Sequence, residues 1–134
     1  LAVHDSLRDL LETDFPAAVE RLHEPGLLLG QQDPALVEQS KSTLSEAGQD
    51  VTQRDFLTCH EFDVRGDIGA ITVPALAVVG ADDPLSPPSY HEFLAQEMPA
   101  CEVQTIPDAG HLAMLEQPDA FNDALAEFLA GGLV

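Results

Sequence analysis

The sequence predicts an α/β fold in which a helical region comes first and a strand–helix–strand–helix unit follows. Before residue 65, apolar side chains recur three or four positions apart, which is the spacing of amphipathic helices. After residue 66, two short strand-like segments, Ala75–Val79 and Glu102–Ile106, alternate with helical patterns. This alternation is typical of a parallel sheet with helices on its faces.

The first 65 residues predict four helices, with Leu7, Leu10 and Leu11 spaced as the apolar stripe of the first. The remaining start and stop signals are Asp14 with Pro16 for the second helix, Asp33 with Pro34 and Gly48 for the third, and Asp50 to about His60 for the fourth. The apolar stripes are narrow, so each helix is expected to lie over another surface, as a lid does.

The second part begins with a short helical turn, Asp67–Ala70. The run Ala75–Val79 is unbroken, small or β-branched, and is expected to be buried on both faces like a central parallel strand. A helix starts at Pro87-Pro88, and a final helix extends from near Pro118 to Gly131-Gly132. The apolar stripe of the first of these helices is Tyr90, Phe93, Leu94 and Met98, and the final helix is expected to bury Phe121, Leu125 and Phe128. Two strands do not form a stable sheet alone, so either a missing N-terminal half or a second chain is expected to cover the open sheet edge.

The charge is strongly acidic, with 24 Asp plus Glu against 5 Lys plus Arg and a net charge of −19. Because phosphate binding needs clustered cations, nucleic acid is not expected as a partner. No run of about 18 apolar residues is present, so no membrane association is expected. The composition resembles cytosolic proteins of salt-loving microbes, which predicts a halophilic, cytoplasmic protein; an unusually acidic mesophile protein is the alternative.

The cysteines and most histidines predict no special chemistry. Cys59 and Cys101 lie beside apolar residues and are expected to be buried free thiols. The histidines on predicted helices have no metal-ligand spacing, and they are His4, His23, His60 and His91. Neither a metal nor a cofactor is expected.

Two titratable residues follow the predicted strands, Asp83 after the first and His111 after the second. Sites in open parallel sheets form at the carboxyl ends of strands, so these side chains could meet. A carboxylate at histidine Nδ1 fixes the tautomer and leaves Nε2 to accept a proton from a nucleophile. Taken alone, Asp-x-Pro and Gly-His are equally compatible with ordinary loops. The spacing after Gly80 favours Asp83 over Asp82 as the acid.

The sequence around these residues closely resembles the C-terminal part of the α/β-hydrolase fold family. The family pattern for the acid, V-P-x-L-x-x-x-G-x-x-D-x-x-x-P, is matched by Val73, Pro74, Leu76, Gly80, Asp83 and Pro87. The A-G-H pattern is matched by Ala109, Gly110 and His111, with Glu116 and Pro118 behind them. The resemblance implies that residues 1–65 are a helical cap or lid and that residues 66–134 are the C-terminal βαβα part of the core. It also implies that Asp83 is the catalytic acid and His111 the catalytic base.

The family's nucleophile elbow, G-x-S-x-G, is absent from this chain. None of the six serines has a glycine two positions before it, and Ser86 is expected to be a turn residue. The resemblance therefore implies the cap and C-terminal part of a serine-type hydrolase that acts on a small or medium apolar ester or acyl compound, with the nucleophile elsewhere. The alternatives are a non-catalytic binding or regulatory remnant, and an aspartate nucleophile with dehalogenase or epoxide-hydrolase chemistry.

Overall fold

The structure is a computed structural model that describes residues 3–30 and 33–131. In chain order its elements are the helices α1 (Asp5–Thr13), α2 (Phe15–Leu22), α3 (Pro34–Ala47) and α4 (Gln49–Glu61), a 3₁₀ turn (Ile68–Ala70), strand β1 (Ala75–Gly80), helix α5 (Pro88–Glu97), strand β2 (Cys101–Ile106), and the helices α6 (Ala113–Glu116) and α7 (Pro118–Gly131). This is the predicted order of helices followed by a βαβα unit. The predicted end at Gly132 lies outside the described residues.

The predicted start and stop residues of α2 and α3 lie at the ends of these helices. Asp14 caps α2, because its side chain accepts a hydrogen bond from the backbone N–H of Ala17 at 3.1 Å. Asp33 caps α3 in the same way, through the N–H of Ala35 at 2.8 Å. Gly48 ends α3 with a φ of +83°, a conformation that glycine adopts without a steric penalty. The four helices predicted in the first 65 residues are confirmed.

The first four helices pack mainly on one another. α1 contacts both α2 and α4, and the buried apolar side chains of this region are Val3, Leu11, Ala18, Val19, Leu22, Leu28 and Leu29. His23 is also buried, and its ring joins α2 to α3 through a contact of 2.8 Å between Nε2 and Ser40 Oγ. The apolar periodicity of α3 predicts that one face is buried, but the residues of that face are only half-buried: Leu36, Val37, Ser40 and Leu44.

The two strands form a parallel sheet whose register pairs Ala75 with Cys101 and Gly80 with Ile106. α5 and α7 both pack against the strands, and the buried cluster at this end consists of Ile106, Ala109 and Ala113, with Val78, Ala120 and Ala124 against it. The prediction that β1 is buried on both faces is wrong for its first four residues, which are half-buried. Within the described residues each strand has a neighbour on one side only, so one edge of each remains open.

Several side chains predicted to be buried are exposed instead. Tyr90 of α5 is 56% exposed and Leu125 of α7 is 40% exposed. Cys59 is also exposed, which contradicts its expected burial. The helical periodicity locates an apolar stripe, but burial also requires a second surface over the stripe. The described residues provide that surface only in part. None of the described helices is long and apolar enough to cross a bilayer.

Candidate active site

The turn after β1 presents Asp83 and is tied to the loop after β2. The backbone N–H of Ala81 donates to the carbonyl of Ile106 at 2.8 Å, and that of Asp82 donates to the carbonyl of Ala109 at 2.9 Å. Gly80 permits this approach, since a Cβ at its position would lie 2.1 Å from the carbonyl oxygen of Gly110. The ends of the two strands are therefore held together by backbone contacts that need glycine.

The loop that carries His111 is fixed from three sides. Gly110 is buried, and its N–H donates to Glu116 Oε1 at 2.8 Å. The N–H of Leu112 donates to the carbonyl of Leu28 at 3.1 Å, which brings the segment between α2 and α3 onto this loop. A Cβ at Gly110 would lie 2.4 Å from the nitrogen of Gly30, so the two backbones are in close contact. The loop thus contacts both the sheet and the helical region.

These turns bring the two predicted residues together. His111 Nδ1 lies 2.9 Å from Asp83 Oδ2, a hydrogen-bond distance. Asp83 is buried, at 5% exposure, whereas the His111 side chain remains 33% exposed. Because an ionised carboxylate only accepts hydrogen bonds, the proton of the neutral ring lies on Nδ1. Nε2 is then an unprotonated acceptor on a partly exposed ring.

The environment of Asp83 keeps its side chain ionised. Burial opposes the charge, but the Ser86 backbone N–H, His111 and the Ser86 hydroxyl all donate hydrogen bonds to the carboxylate. Their combined effect holds the pKa of Asp83 below its usual value of 3.8. The pair therefore consists of a charged acceptor and an oriented imidazole. Such a pair can take a proton at Nε2 and stabilise the resulting imidazolium.

The neighbouring candidates do not compete with this pair. Asp82 is exposed and contacts the His111 loop through its backbone N–H. Ser86 Oγ lies 2.8 Å from Asp83 Oδ2 and 3.4 Å from His111 Nδ1, the ring nitrogen that carries the proton. A nucleophile must reach the free nitrogen of the base, so Ser86 is not positioned to act as one. The expectation of a turn residue agrees with its backbone N–H bond to Asp83 Oδ1.

The other histidines make structural contacts. His4 caps α1 by accepting from the N–H of Ser6, and His60 accepts from the N–H of Val3 at 3.2 Å. Among residues 3–30 and 33–131, no group of three His, Cys, Asp or Glu side chains is arranged to hold a metal ion.

A broad groove of about 910 Å³ lies between α5 and the segment that follows α4. Ser86, which contacts Asp83, is one of its lining residues, and its apolar lining consists of Phe62, Val64, Ile68, Tyr90, Phe93 and Leu94. Asp63 and Arg65 lie on its wall and are paired with each other. The side-chain hydrogen bond from Arg65 lowers the pKa of Asp63 well below its usual range. The groove is large enough for an apolar small molecule, and its lining is linked to the Asp83–His111 pair through Ser86.

Sequence reasoning missed three contributors to this site. Glu116 was expected only as part of a pattern, yet its carboxylate holds the backbone of Gly110. The hydroxyl of Ser86 donates to Asp83. The segment Leu28–Gly30 supports the His111 loop. The sequence did contain a signal for Glu116, namely a carboxylate shortly after the Gly-His dipeptide. The segment Leu28–Gly30 contacts the loop through backbone atoms, so no pattern of side chains predicts this contact.

Comparison with known proteins agrees with this architecture. A profile of the alpha/beta hydrolase family matches residues 2–124. The chain is 28% identical over 108 residues to 3-oxoadipate enol-lactonase 2 of Acinetobacter baylyi, covering 81% of this chain and 39% of the lactonase. It is 30% identical over 121 residues to a pimeloyl-[acyl-carrier protein] methyl ester esterase of Pectobacterium atrosepticum, covering 88% of this chain and 48% of that enzyme.

Among solved structures, a thermophilic esterase superposes with a TM-score of 0.84 at 30% identity, covering 97% of this chain and 52% of the esterase. The enol-lactonase of Burkholderia xenovorans has the same fold, with a TM-score of 0.84 at 20% identity. The chain spans about half the length of these proteins or less. The profile match over nearly the whole chain, together with this fold, shows that the chain belongs to the alpha/beta hydrolase family of hydrolases.

Proposed function

We propose that this chain supplies the acid and base of a serine-type hydrolase that cleaves small or medium apolar esters or related acyl compounds. Asp83 is the acid, His111 is the base, and the serine belongs to a preceding part of the protein. The observation that carries the proposal is the 2.9 Å contact between Asp83 Oδ2 and His111 Nδ1 at the ends of two adjacent parallel strands.

In this mechanism, Nε2 of His111 takes the hydroxyl proton of the serine as the serine oxygen bonds to the carbonyl carbon of the ester. The imidazolium is stabilised by Asp83 and returns the proton to the departing alcohol oxygen, which leaves an acyl-enzyme. Nε2 then takes a proton from water as the water oxygen adds to the acyl carbon. The same proton passes to the serine oxygen when the acid product leaves.

The substrate class is supported by the groove and by two relatives. Six of the groove-lining side chains are aromatic or aliphatic, which suits an apolar acyl or alcohol group better than a charged one. The named relatives act on an enol-lactone and on a methyl ester, both of which contain an acyl–oxygen bond. A small-molecule substrate also suits the charge of −19, which repels nucleic acid.

The two parts of the chain have different roles in this proposal. Residues 1–65 act as the cap or lid, and residues 66–134 act as the C-terminal part of the core. The preceding half of the protein, or a second chain, pairs with the open edge of β1. This is supported by the lengths of the relatives and by exposed apolar side chains such as Val73, which is 65% exposed. The acidic composition supports a halophilic, cytoplasmic enzyme.

The proposal is tested by labelling the complete protein, expressed with its upstream coding sequence, with a fluorophosphonate probe that reacts with activated serines. The wild type should be labelled at a G-x-S-x-G serine, and His111→Ala should abolish the labelling because no base remains to activate the hydroxyl. His4→Asn is the matched control, since His4 caps α1 and asparagine also caps helices. Equal labelling of His111→Ala and the wild type would refute the assigned base. An upstream sequence without a G-x-S-x-G motif would favour a non-catalytic role.

A further inference from the structure

The carboxylate of Asp83 accepts four hydrogen bonds, and three of them come from the turn that follows it. Oδ1 accepts from the backbone N–H of Leu85 at 2.8 Å and from that of Ser86 at 3.0 Å. Oδ2 accepts from Ser86 Oγ at 2.8 Å and from His111 Nδ1 at 2.9 Å. Each oxygen has two lone-pair sites, so the carboxylate is fully satisfied.

We propose that Ser86 is a positioning residue of this site, whose hydroxyl shares Oδ2 of Asp83 with His111 and so fixes the orientation and the charge of the carboxylate. This inference rests on the proposed function, because positioning matters for catalysis only if the Asp83–His111 pair acts on substrate. Ser86 does not touch the reacting atoms itself. It acts through Asp83.

The geometry assigns the direction of the Ser86 hydroxyl bond. Ser86 Oγ lies closer to Asp83 Oδ2 than to His111 Nδ1, at 2.8 Å against 3.4 Å. Since the carboxylate cannot donate, the hydroxyl proton points to Oδ2, and the ring proton points to the same oxygen. Without the hydroxyl, one lone pair of a buried charge would lose its partner, which makes protonation of the carboxylate easier.

The charges around Asp83 make the hydrogen bond from the Ser86 hydroxyl important. Residues 66–134 contain no Lys or Arg, so no lysine or arginine of this half can compensate a buried carboxylate. Asp82 precedes it directly, and Glu116 holds the loop of His111. His91 and the paired residues Asp63 and Arg65 line the same groove as Ser86. Within the described part of the chain, the donors to the Asp83 carboxylate are His111 and the turn that follows Asp83, and Ser86 supplies two of the hydrogen bonds from that turn.

The test is a carboxyl ¹³C NMR titration of the complete protein, expressed with its upstream coding sequence. Ser86→Ala should shift the titration midpoint of Asp83 to higher pH, because a donor to the ionised form is lost while the backbone bonds stay. Ser86→Thr, which keeps a hydroxyl, should restore the midpoint toward the wild type. Ser89→Ala is the matched control, since Ser89 is an exposed serine three residues away and should leave the midpoint unchanged. If Ser86→Ala does not fold, Ser86→Cys gives the same comparison with a weaker donor.

In the complete enzyme, Ser86→Ala should lower kcat roughly tenfold with little change in KM, and Ser86→Thr should recover it. An Asp83 midpoint that does not move in Ser86→Ala would overturn the inference, as would a threonine variant as impaired as the alanine variant. Neither outcome affects the proposed function, which is decided by serine labelling in His111→Ala. Conversely, if that labelling persists, the proposed function fails while the Asp83 titration still reports on Ser86.

Discussion

Alanine in place of Gly80 would put a methyl group into the backbone of the His111 loop. The added Cβ would lie 2.1 Å from the carbonyl oxygen of Gly110 and 2.3 Å from that of Ala109. The nearer distance is about 1.3 Å short of the 3.4 Å at which ordinary van der Waals contact begins. The atoms it meets are backbone, so no side-chain rotation can relieve the overlap, and the end of β1 must move away from the loop.

That movement would separate the two residues of the pair, since Asp83 follows Gly80 by three positions and His111 follows Gly110 directly. Overpacking of this kind costs roughly 1–3 kcal/mol in the free energy of unfolding. A displacement of about 1 Å in a catalytic pair can cost roughly 10²-fold in turnover. We therefore expect Gly80→Ala to lower both the urea midpoint and the kcat of the complete enzyme.

The assays are urea unfolding and ester hydrolysis, both carried out on the complete enzyme. Gly66→Ala is the matched control, because a Cβ at Gly66 meets nothing within 4 Å. It should leave both quantities close to those of the wild type. If Gly80→Ala also keeps wild-type stability and turnover, the close packing of the β1 end on the His111 loop is wrong.

Three further predictions concern stability. Folding lowers the pKa of Asp83, so its ionised form stabilises the fold above pH 3.8 and this contribution is lost as the pH falls through the folded pKa. The difference in unfolding free energy between wild type and Asp83→Asn should accordingly shrink below pH 3.8, and a constant difference would contradict the hydrogen bonding assigned to Asp83. Glu116→Ala should lose about 1–3 kcal/mol in urea unfolding, because the buried N–H of Gly110 loses its acceptor. Glu116→Gln keeps a carbonyl acceptor and should lose less; equal losses would show that the acceptor is not what matters. Raising KCl from about 0.1 M to about 1 M should raise the melting temperature, since salt screens a net charge of −19. A melting temperature that stays constant or falls with salt would argue against halophily.

The order of elements and the contact between Asp83 and His111 were predictable because both depend on local signals. Helix caps at Asp14 and Asp33 satisfy backbone groups within three residues of themselves, so their sequence patterns suffice. Asp83 and His111 each lie in the loop that follows a strand, and the carboxyl ends of adjacent parallel strands lie at the same edge of the sheet. The contact between them follows from this topology without any knowledge of packing.

Burial and support of the loops were less predictable because they depend on distant parts of the chain. Tyr90 lies on the expected helix but is exposed, since no described element covers it. α6 has only four residues, too few for a helical period to be visible in the sequence. The contact between Leu28 and Leu112 joins residues 84 positions apart through backbone atoms, for which side-chain identity gives no signal.

The proposal that Asp83 and His111 work as an acid–base pair on an ester is tested most directly by kcat/KM for ester hydrolysis by the complete enzyme. His111→Ala should reduce turnover to near the background rate, and Asp83→Asn should reduce it roughly 10⁴-fold, as expected when the orienting acid of a triad is lost. Asp82→Asn, an exposed neighbour with the same change in charge, should stay close to the wild type. Near-normal turnover in His111→Ala, or equal losses in the two aspartate variants, would contradict the assignment.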